Sequence, residues 1–460
     1  MFALARGSIP GASPAFPLKV SADRRYLTDQ HGTPFPILGR TAWFVLSLPA
    51  ADYRTFIDDT VARGFNSIEF HVIDHDPRGY RPPLNGRGDV PFLETVSGRK
   101  WDGTSSDDAP DFTTPNEAYW SFVDEFLSYC ESRGVAVLMF PAYVGAKGGN
   151  QGWMQEITHN GPDRMRAYGK WLATRYRHQA NIIWMMGGDM GTSRTPFDGE
   201  QTAAEAALLT GITSVVDPRS TLISAEWSTE SIATDQLTFG TFMTMNGAYS
   251  WTGDVSGQGR RAYAYGEMPS FLLEEPYDEE GRDGNRVNSS ASQPVRRFVW
   301  WGWLSTIGGY VAGNGYVWPF NPPVWRFHLD TQGSRDLARL NRFIRSIPWW
   351  TLVPSGLNGM RTLVVGNGST PGTPDYIAAA ASRDGVLLVA YVPPMHPNSF
   401  SIDMRAMART VRARWFDPTA GIYLTISSDL PNTGIRMFVP PGTNSAGSTD
   451  WLLVLDNRAR

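Results

Sequence analysis

Short apolar runs alternate with amphipathic stretches through the first three-quarters of the chain. Residues 36–43 form an apolar run, and a helix follows with Tyr53, Phe56, Ile57 and Val61 on one face, stopped by Gly64. A β-branched run at 67–73 comes next. Thr114-Pro115-Asn116-Glu117 reads as a capping box, and the helix it opens carries Tyr119, Phe122, Val123, Phe126, Leu127 and Cys130 at three- and four-residue spacing before Gly134 closes it. Residues 136–143 are almost continuously apolar, as expected of a strand buried on both faces. A helix around Met165, Tyr168, Leu172 and Tyr176 leads to a second such run at 181–186.

Further strands are expected at 221–227, 241–246, 270–275 and 306–311, with a helix at 295–304 before the last. Counted from Pro36, the strand–helix alternation predicts an α/β fold, a TIM-type (β/α)8 barrel with long loops at its mouth. A doubly wound sheet would want a phosphate-binding glycine turn, and neither GxGxxG nor GxxxxGK[ST] occurs. A helix with Leu337, Leu340, Ile344 and Ile347 on one stripe ends at Pro348, and the pattern then becomes all-β. Runs at 376–381 and 386–392 flank the hairpin signal Arg383-Asp384-Gly385, and short strands are expected at 411–415, 422–426, 437–439 and 451–455. The expected organisation is a barrel with an N-terminal extension over 1–348 and a small β-sandwich over 349–460.

Composition narrows the function. Hydrophobic residues make up 42% of the 460 and charged residues 19%, a balance suited to a large core and not to disorder. Lys and Arg total 41 against 45 Asp and Glu, and no basic block appears, which argues against a nucleic-acid partner. The lone Cys130 excludes a disulfide framework and a cysteine zinc cluster. No apolar run approaches the ~20 residues that span a bilayer. The first twenty residues, interrupted by Arg6, Gly7, Pro10, Pro14 and Pro17, lack a signal-peptide pattern, so a cytoplasmic protein is expected unless a leader has been removed. The 17 Trp, 17 Tyr and 23 Phe are mainly core payload, but rings in loops suit the apolar face of a sugar.

Polar residues at the C-terminal ends of barrel strands are the catalytic candidates. Those ends supply Glu69, His71, Tyr143, Asp189, Glu226, Asn246 and the pair Glu274-Glu275. HExxH and GxSxG are absent, and the His71–His75 spacing on a strand end does not bring two ligands together, so neither a metal nor a cofactor is expected. A carboxylate-rich mouth beside aromatic rings fits glycoside hydrolysis, in which one carboxyl protonates the leaving oxygen and another attacks the sugar or activates water. Strict alternation along 270–275 puts Glu275 on the face of Phe271 and Leu273 and sends Glu274 to the other, which favours Glu275 for the mouth. Gly187-Gly188 allow a tight turn into Asp189. Arg40, Trp43, Trp227, Tyr277 and Trp318 join Glu69, His71, Tyr143, Glu226 and Asn246 as expected substrate contacts.

Several segments carry a family resemblance. Gly32-Thr33-Pro34-Phe35-Pro36-Ile37-Leu38-Gly39-Arg40-Thr41-Ala42-Trp43, Gly64-Phe65-Asn66-Ser67-Ile68-Glu69, Asn181-Ile182-Ile183-Trp184-Met185-Met186-Gly187-Gly188-Asp189 and Glu275-Pro276-Tyr277 resemble, in order, motifs of the apiosidase-like glycoside hydrolases. Trp349-Trp350-Thr351-Leu352-Val353-Pro354 and Trp415-Phe416-Asp417-Pro418-Thr419-Ala420-Gly421 are similar to the junction and tail of that family's C-terminal "collagen-binding" β-domain. The resemblance implies a retaining enzyme with Asp189 as acid/base on the fourth strand and Glu275 as nucleophile on the seventh. Two departures bear on the sugar. Arg40 stands where the family usually has Asp, and the family's Glu-Pro segment usually runs on to Tyr-Glu with one more residue between, whereas Tyr277 follows Pro276 directly here. Arg40 is therefore expected either to bind an acidic sugar such as a uronate or to pair with Glu69 or another mouth carboxylate. The alternative to an enzyme is a non-catalytic glycan- or collagen-binding protein on the same scaffold.

Overall fold

The computed structural model describes residues 13–104, 108–250, 254–274, 277–280 and 292–457, the last range without the side chains of 292–294. Eight parallel strands line up as β1 (Ile37–Thr41), β2 (Ser67–His71), β3 (Ala136–Phe140), β4 (Ile182–Gly187), β5 (Ile223–Glu226), β6 (Asn246–Tyr249), β7 (Ser270–Leu273) and β8 (Ile307–Asn314). Their order in the sheet, β5-β4-β3-β2-β1-β8-β7-β6, brings the two ends of the sequence of strands round towards each other. Between β5 and β6 the seam is held by Met245 N–H donating to the Ile223 carbonyl and Gly247 N–H donating to Ser224 Oγ. The sheet is thus a nearly closed barrel.

The helices α1 (Ala50–Ala62), α2 (Glu117–Ser132), α3 (Met154–Tyr176), α4 (Gly199–Thr213), α5 (Val255–Ala264), α6 (Ser292–Thr306) and α7 (Gln332–Ser346) accompany the strands. Asn116, not Thr114, caps α2, its side chain accepting from Ala118 N–H. Among the described residues no helix is long and apolar enough to cross a membrane.

One strand is displaced from its expected place. The alternation read as a strand at 241–246 belongs to a turn that tucks Met243 and Met245 into the core, and β6 begins only at Asn246. Gly247 lets β6 lie against β7: a Cβ there would sit 2.2 Å from Leu273 Cδ1.

Beyond the barrel, β9 (Leu352–Pro354), β10 (Val364–Val365), β11 (Ala378–Ser382), β12 (Leu387–Val392), β13 (Phe400–Asp403), β14 (Val411–Phe416), β15 (Tyr423–Leu430), β16 (Ile435–Phe438) and β17 (Trp451–Asp456) form two sheets. The six-stranded one runs β9-β11-β12-β17-β14-β15 and the three-stranded one β10-β13-β16. Their shared interior holds Leu388, Val392, Trp415 and Leu453. The outer face of the larger sheet packs against α6 and α7 through Trp300, Phe343, Tyr391 and Phe416. Within that contact Arg296 donates to both oxygens of Asp450 and to Asp336, and all three side chains are buried.

Candidate active site

At the end of β4 the backbone stays left-handed for three residues: Gly187 at φ +82°, Gly188 at +115° and Asp189 at +60°. Gly188 is required, since a Cβ there would lie 2.0 Å from the Tyr143 ring. The turn carries the short Asp189 side chain inward. Tyr143 donates its hydroxyl to Oδ2 and Tyr249 donates to Oδ1, each at 2.7 Å.

Across the mouth, β7 ends at Leu273. Leu272 packs on α6 while Phe271 and Leu273 face the barrel, so unbroken alternation would turn Glu274 towards the helices. Glu274 instead adopts φ +53°, which reverses the alternation and swings its carboxyl into the mouth. Tyr277 donates its hydroxyl to Glu274 Oε1 at 2.6 Å and accepts from Trp43 Nε1 at 2.5 Å. Glu274 is therefore a carboxyl of the site, and Glu275, the expected one, lies outside the described residues. Glu226, at the end of β5, completes a group whose oxygens, one each from Asp189, Glu226 and Glu274, lie within 4.8 Å of one another.

Such spacing serves either a cation or a shared proton. The two tyrosine donors on Asp189 and the condition of Glu274 favour the proton. Burial first, and the nearby Asp189 second, push the Glu274 carboxyl up to about 8, with the Tyr277 and Tyr249 hydroxyls pulling the other way. Glu69 is fully buried with neither oxygen hydrogen-bonded among the described residues; burial, then Glu274, raise its carboxyl well above the usual range. Burial depresses His71 to about 3, so its contact with the buried, raised Asp74 (3.1 Å) is a neutral hydrogen bond and not an ion pair.

A cleft of about 170 Å³ opens over these groups. One wall is a stack of rings, Trp43 on His71 at 4.6 Å and His71 on Tyr143 at 4.4 Å between centroids. Trp318 also lines the cleft, packs against Phe44 and carries the Arg78 guanidinium over its face, with Arg78 Nε also donating to Asp76.

Seven of the expected residues line this cleft: Trp43, His71, Tyr143, Asp189, Glu226, Tyr277 and Trp318. Four do not. Arg40 points away from the mouth, pairing with Asp59 of α1 at 2.8 Å between the Phe56 and Phe65 rings, so it meets neither sugar nor mouth carboxylate. Glu69 does not line the cleft; it lies buried beside Glu274. Asn246 opens β6 at the foot of the barrel and donates to the Ala262 carbonyl. Trp227 is buried against Gly187 and Gly191, its Nε1 donating to the Ala233 carbonyl. Tyr249, Asp76, Arg78 and Glu280 are not among the candidates the sequence offers, and Glu274 is set aside there in favour of Glu275. A strand begun at Asn246 would have placed Tyr249 at the mouth; the reversal at Glu274 leaves no mark in the residue pattern.

A nearly closed parallel barrel with paired carboxyls under an aromatic wall defines the class of barrel glycoside hydrolases. Residues 21–351 match the family model described as "Apiosidase-like, catalytic domain", and the chain belongs to that family. Residues 361–456 match the model described as "Putative collagen-binding domain of a collagenase". Among solved structures the chain is similar to a glycoside hydrolase at TM-score 0.76 and 20% identity, covering 99% of both chains. It is also similar to a glycoside hydrolase family 5 protein from Bacteroides vulgatus ATCC 8482 at TM-score 0.74 and 18% identity, over 96% of this chain and 94% of that one. At those identities the likeness speaks for the fold. No curated protein sequence matches. The family match and these neighbours make the protein a glycosidase.

Proposed function

We propose that the protein hydrolyses a glycosidic bond with retention of anomeric configuration, Glu274 acting as nucleophile and Asp189 as acid/base. The observation that carries this reading is the distance between the pair. Retention calls for carboxyl groups ~5–5.5 Å apart, whereas inversion calls for ~6.5–9.5 Å to admit a water. Oxygens of Asp189 and Glu274 within 4.8 Å of each other fit the first case.

Position divides the labour. Glu274 is the more deeply buried, with Oε1 held by Tyr277 and Oε2 without a partner among the described residues, ready for a sugar carbon. Asp189 is nearer the rim, where a leaving group departs. In the free enzyme the pair shares a proton, and burial favours Glu274 as its holder. Reaction needs that proton on Asp189. Tyr249 donates to Asp189 and also acts on the Glu274 carboxyl, so it stands on the route between them. Glu274 then attacks the anomeric carbon as the carbon–oxygen bond breaks and Asp189 gives its proton to the departing oxygen. Water returns a proton to Asp189 as its oxygen attacks the same carbon, which releases Glu274. NMR of the first anomer released tests the reading: the substrate's configuration is expected, and its inverse would make Glu274 the base for a water.

A further inference from the structure

Outside the cleft, one aromatic ring is held rigid while facing solvent. Tyr316 is 43% exposed, yet its ring stacks on His328 at 4.1 Å and an interplanar angle of 17°. His328 is in turn fixed through Nδ1 to Glu279 Oε2 at 2.6 Å, and Asn314 ties the same carboxylate to the end of β8 while accepting from Tyr316 N–H. An exposed side chain ordinarily keeps its rotamer freedom, and ordering it costs free energy that nothing in the core repays here. Its buried face is taken by His328, so the opposite face is presented flat.

The location gives that face a use. Asn314 ends β8, so Tyr316 stands on the side of the barrel where the catalytic groups lie. Tyr277, whose hydroxyl holds Glu274, pairs with Gly313. Three Cα–Cα steps lead from Gly313 to Tyr316, a reach of at most about 11 Å, and Trp318 of the cleft follows two residues later. Asp189, which faces the leaving group in the proposed reaction, comes from β4 on the other side of Glu274. The platform is therefore on the side of the sugar that becomes attached to Glu274.

We infer that Tyr316 is a stacking platform for a second sugar ring, joined to the non-reducing side of the one whose bond is cut. The natural substrate is accordingly an oligosaccharide or a substituted glycan, not a single terminal sugar. This rests on the glycosidase mechanism proposed above, and the test separates the two.

The probes are the p-nitrophenyl monosaccharide that the protein cleaves and the p-nitrophenyl disaccharide with the same sugar at the scissile bond. Wild-type kcat/KM is expected to be higher on the disaccharide. Tyr316→Ala should lose about tenfold on the disaccharide, chiefly through KM, and leave the monosaccharide unchanged, while Tyr316→Phe keeps the wild-type ratio. Calorimetry on Glu274→Gln supplies a readout without turnover: the disaccharide should bind more tightly than the monosaccharide, and Tyr316→Ala should erase the difference. Equal losses on both substrates, or no loss on either, would overturn the platform while leaving the mechanism standing. Failure of Glu274→Gln to lose turnover would instead strike the mechanism.

Discussion

Asp189 and Glu274 meet across the barrel mouth from backbones that are both left-handed, at φ +60° and +53°. Non-glycine residues in that region cost of order 1–3 kcal/mol each and persist where surrounding contacts impose them. Here the contacts are tyrosines: Tyr143 and Tyr249 on Asp189, Tyr277 on Glu274. The two strained turns point short and long carboxyl side chains at one spot from opposite walls.

The raised Glu274 carboxyl makes stability depend on pH. Unfolded, this group releases its proton near 4.5; folded, it holds it to about 8. Between those values the native chain binds more protons than the unfolded one, so stability falls as pH rises through the window. Glu274→Gln, permanently neutral, escapes that loss. Thermal melts should show the variant gaining on wild type progressively from pH 4.5 to pH 8, and parallel curves would contradict it.

Glu69 invites the same reasoning with a different outcome for catalysis. With both oxygens buried and unpaired, it is expected to be a neutral acid in the native state. Glu69→Gln should therefore keep kcat within about threefold of wild type, because shape and neutrality are unchanged. It should also raise the melting temperature above pH 5. A large loss of kcat in a folded Glu69→Gln would show that the ionised form takes part.

The contact between barrel and β-sheets is predicted to be structural and strong. Arg296→Met would leave Asp450 and Asp336 buried without their shared guanidinium, and breaking such a pair costs about 3–5 kcal/mol. Urea unfolding of the full chain measures it. For the same reason residues 1–348 alone, with Trp300 and Phe343 uncovered, should be poorly soluble. A soluble, active fragment would contradict a domain boundary with this dependence.

Much of the barrel was legible in sequence because parallel strands buried on both faces leave continuous apolar runs, as at 136–143 and 181–186. The site was legible where a strand end sets the direction of a side chain, as for His71 and Asp189. Three errors had physical causes. Glu274 was excluded by counting alternation through a residue that leaves the strand conformation. Asn246 was put at the mouth because Met243 and Met245 alternate like a strand while lying in a turn. Arg40 was expected at the mouth, on an acidic sugar or a mouth carboxylate, since an arginine at a strand end does not reveal that α1 offers it Asp59 on the outer side.

The central claim, that Glu274 is the nucleophile and Asp189 the acid/base, is tested most directly by azide rescue of alanine variants at the two positions. Asp189→Ala, assayed on an activated aryl glycoside with azide, should regain turnover and yield a glycosyl azide of the substrate's own configuration, because Glu274 still forms the intermediate. Glu274→Ala should yield the azide of opposite configuration, from direct attack, while Glu275→Gln without azide should remain active. Exchange of the two azide configurations between the variants would reverse the assignment, and loss of activity in Glu275→Gln with retention in Glu274→Ala would contradict it outright.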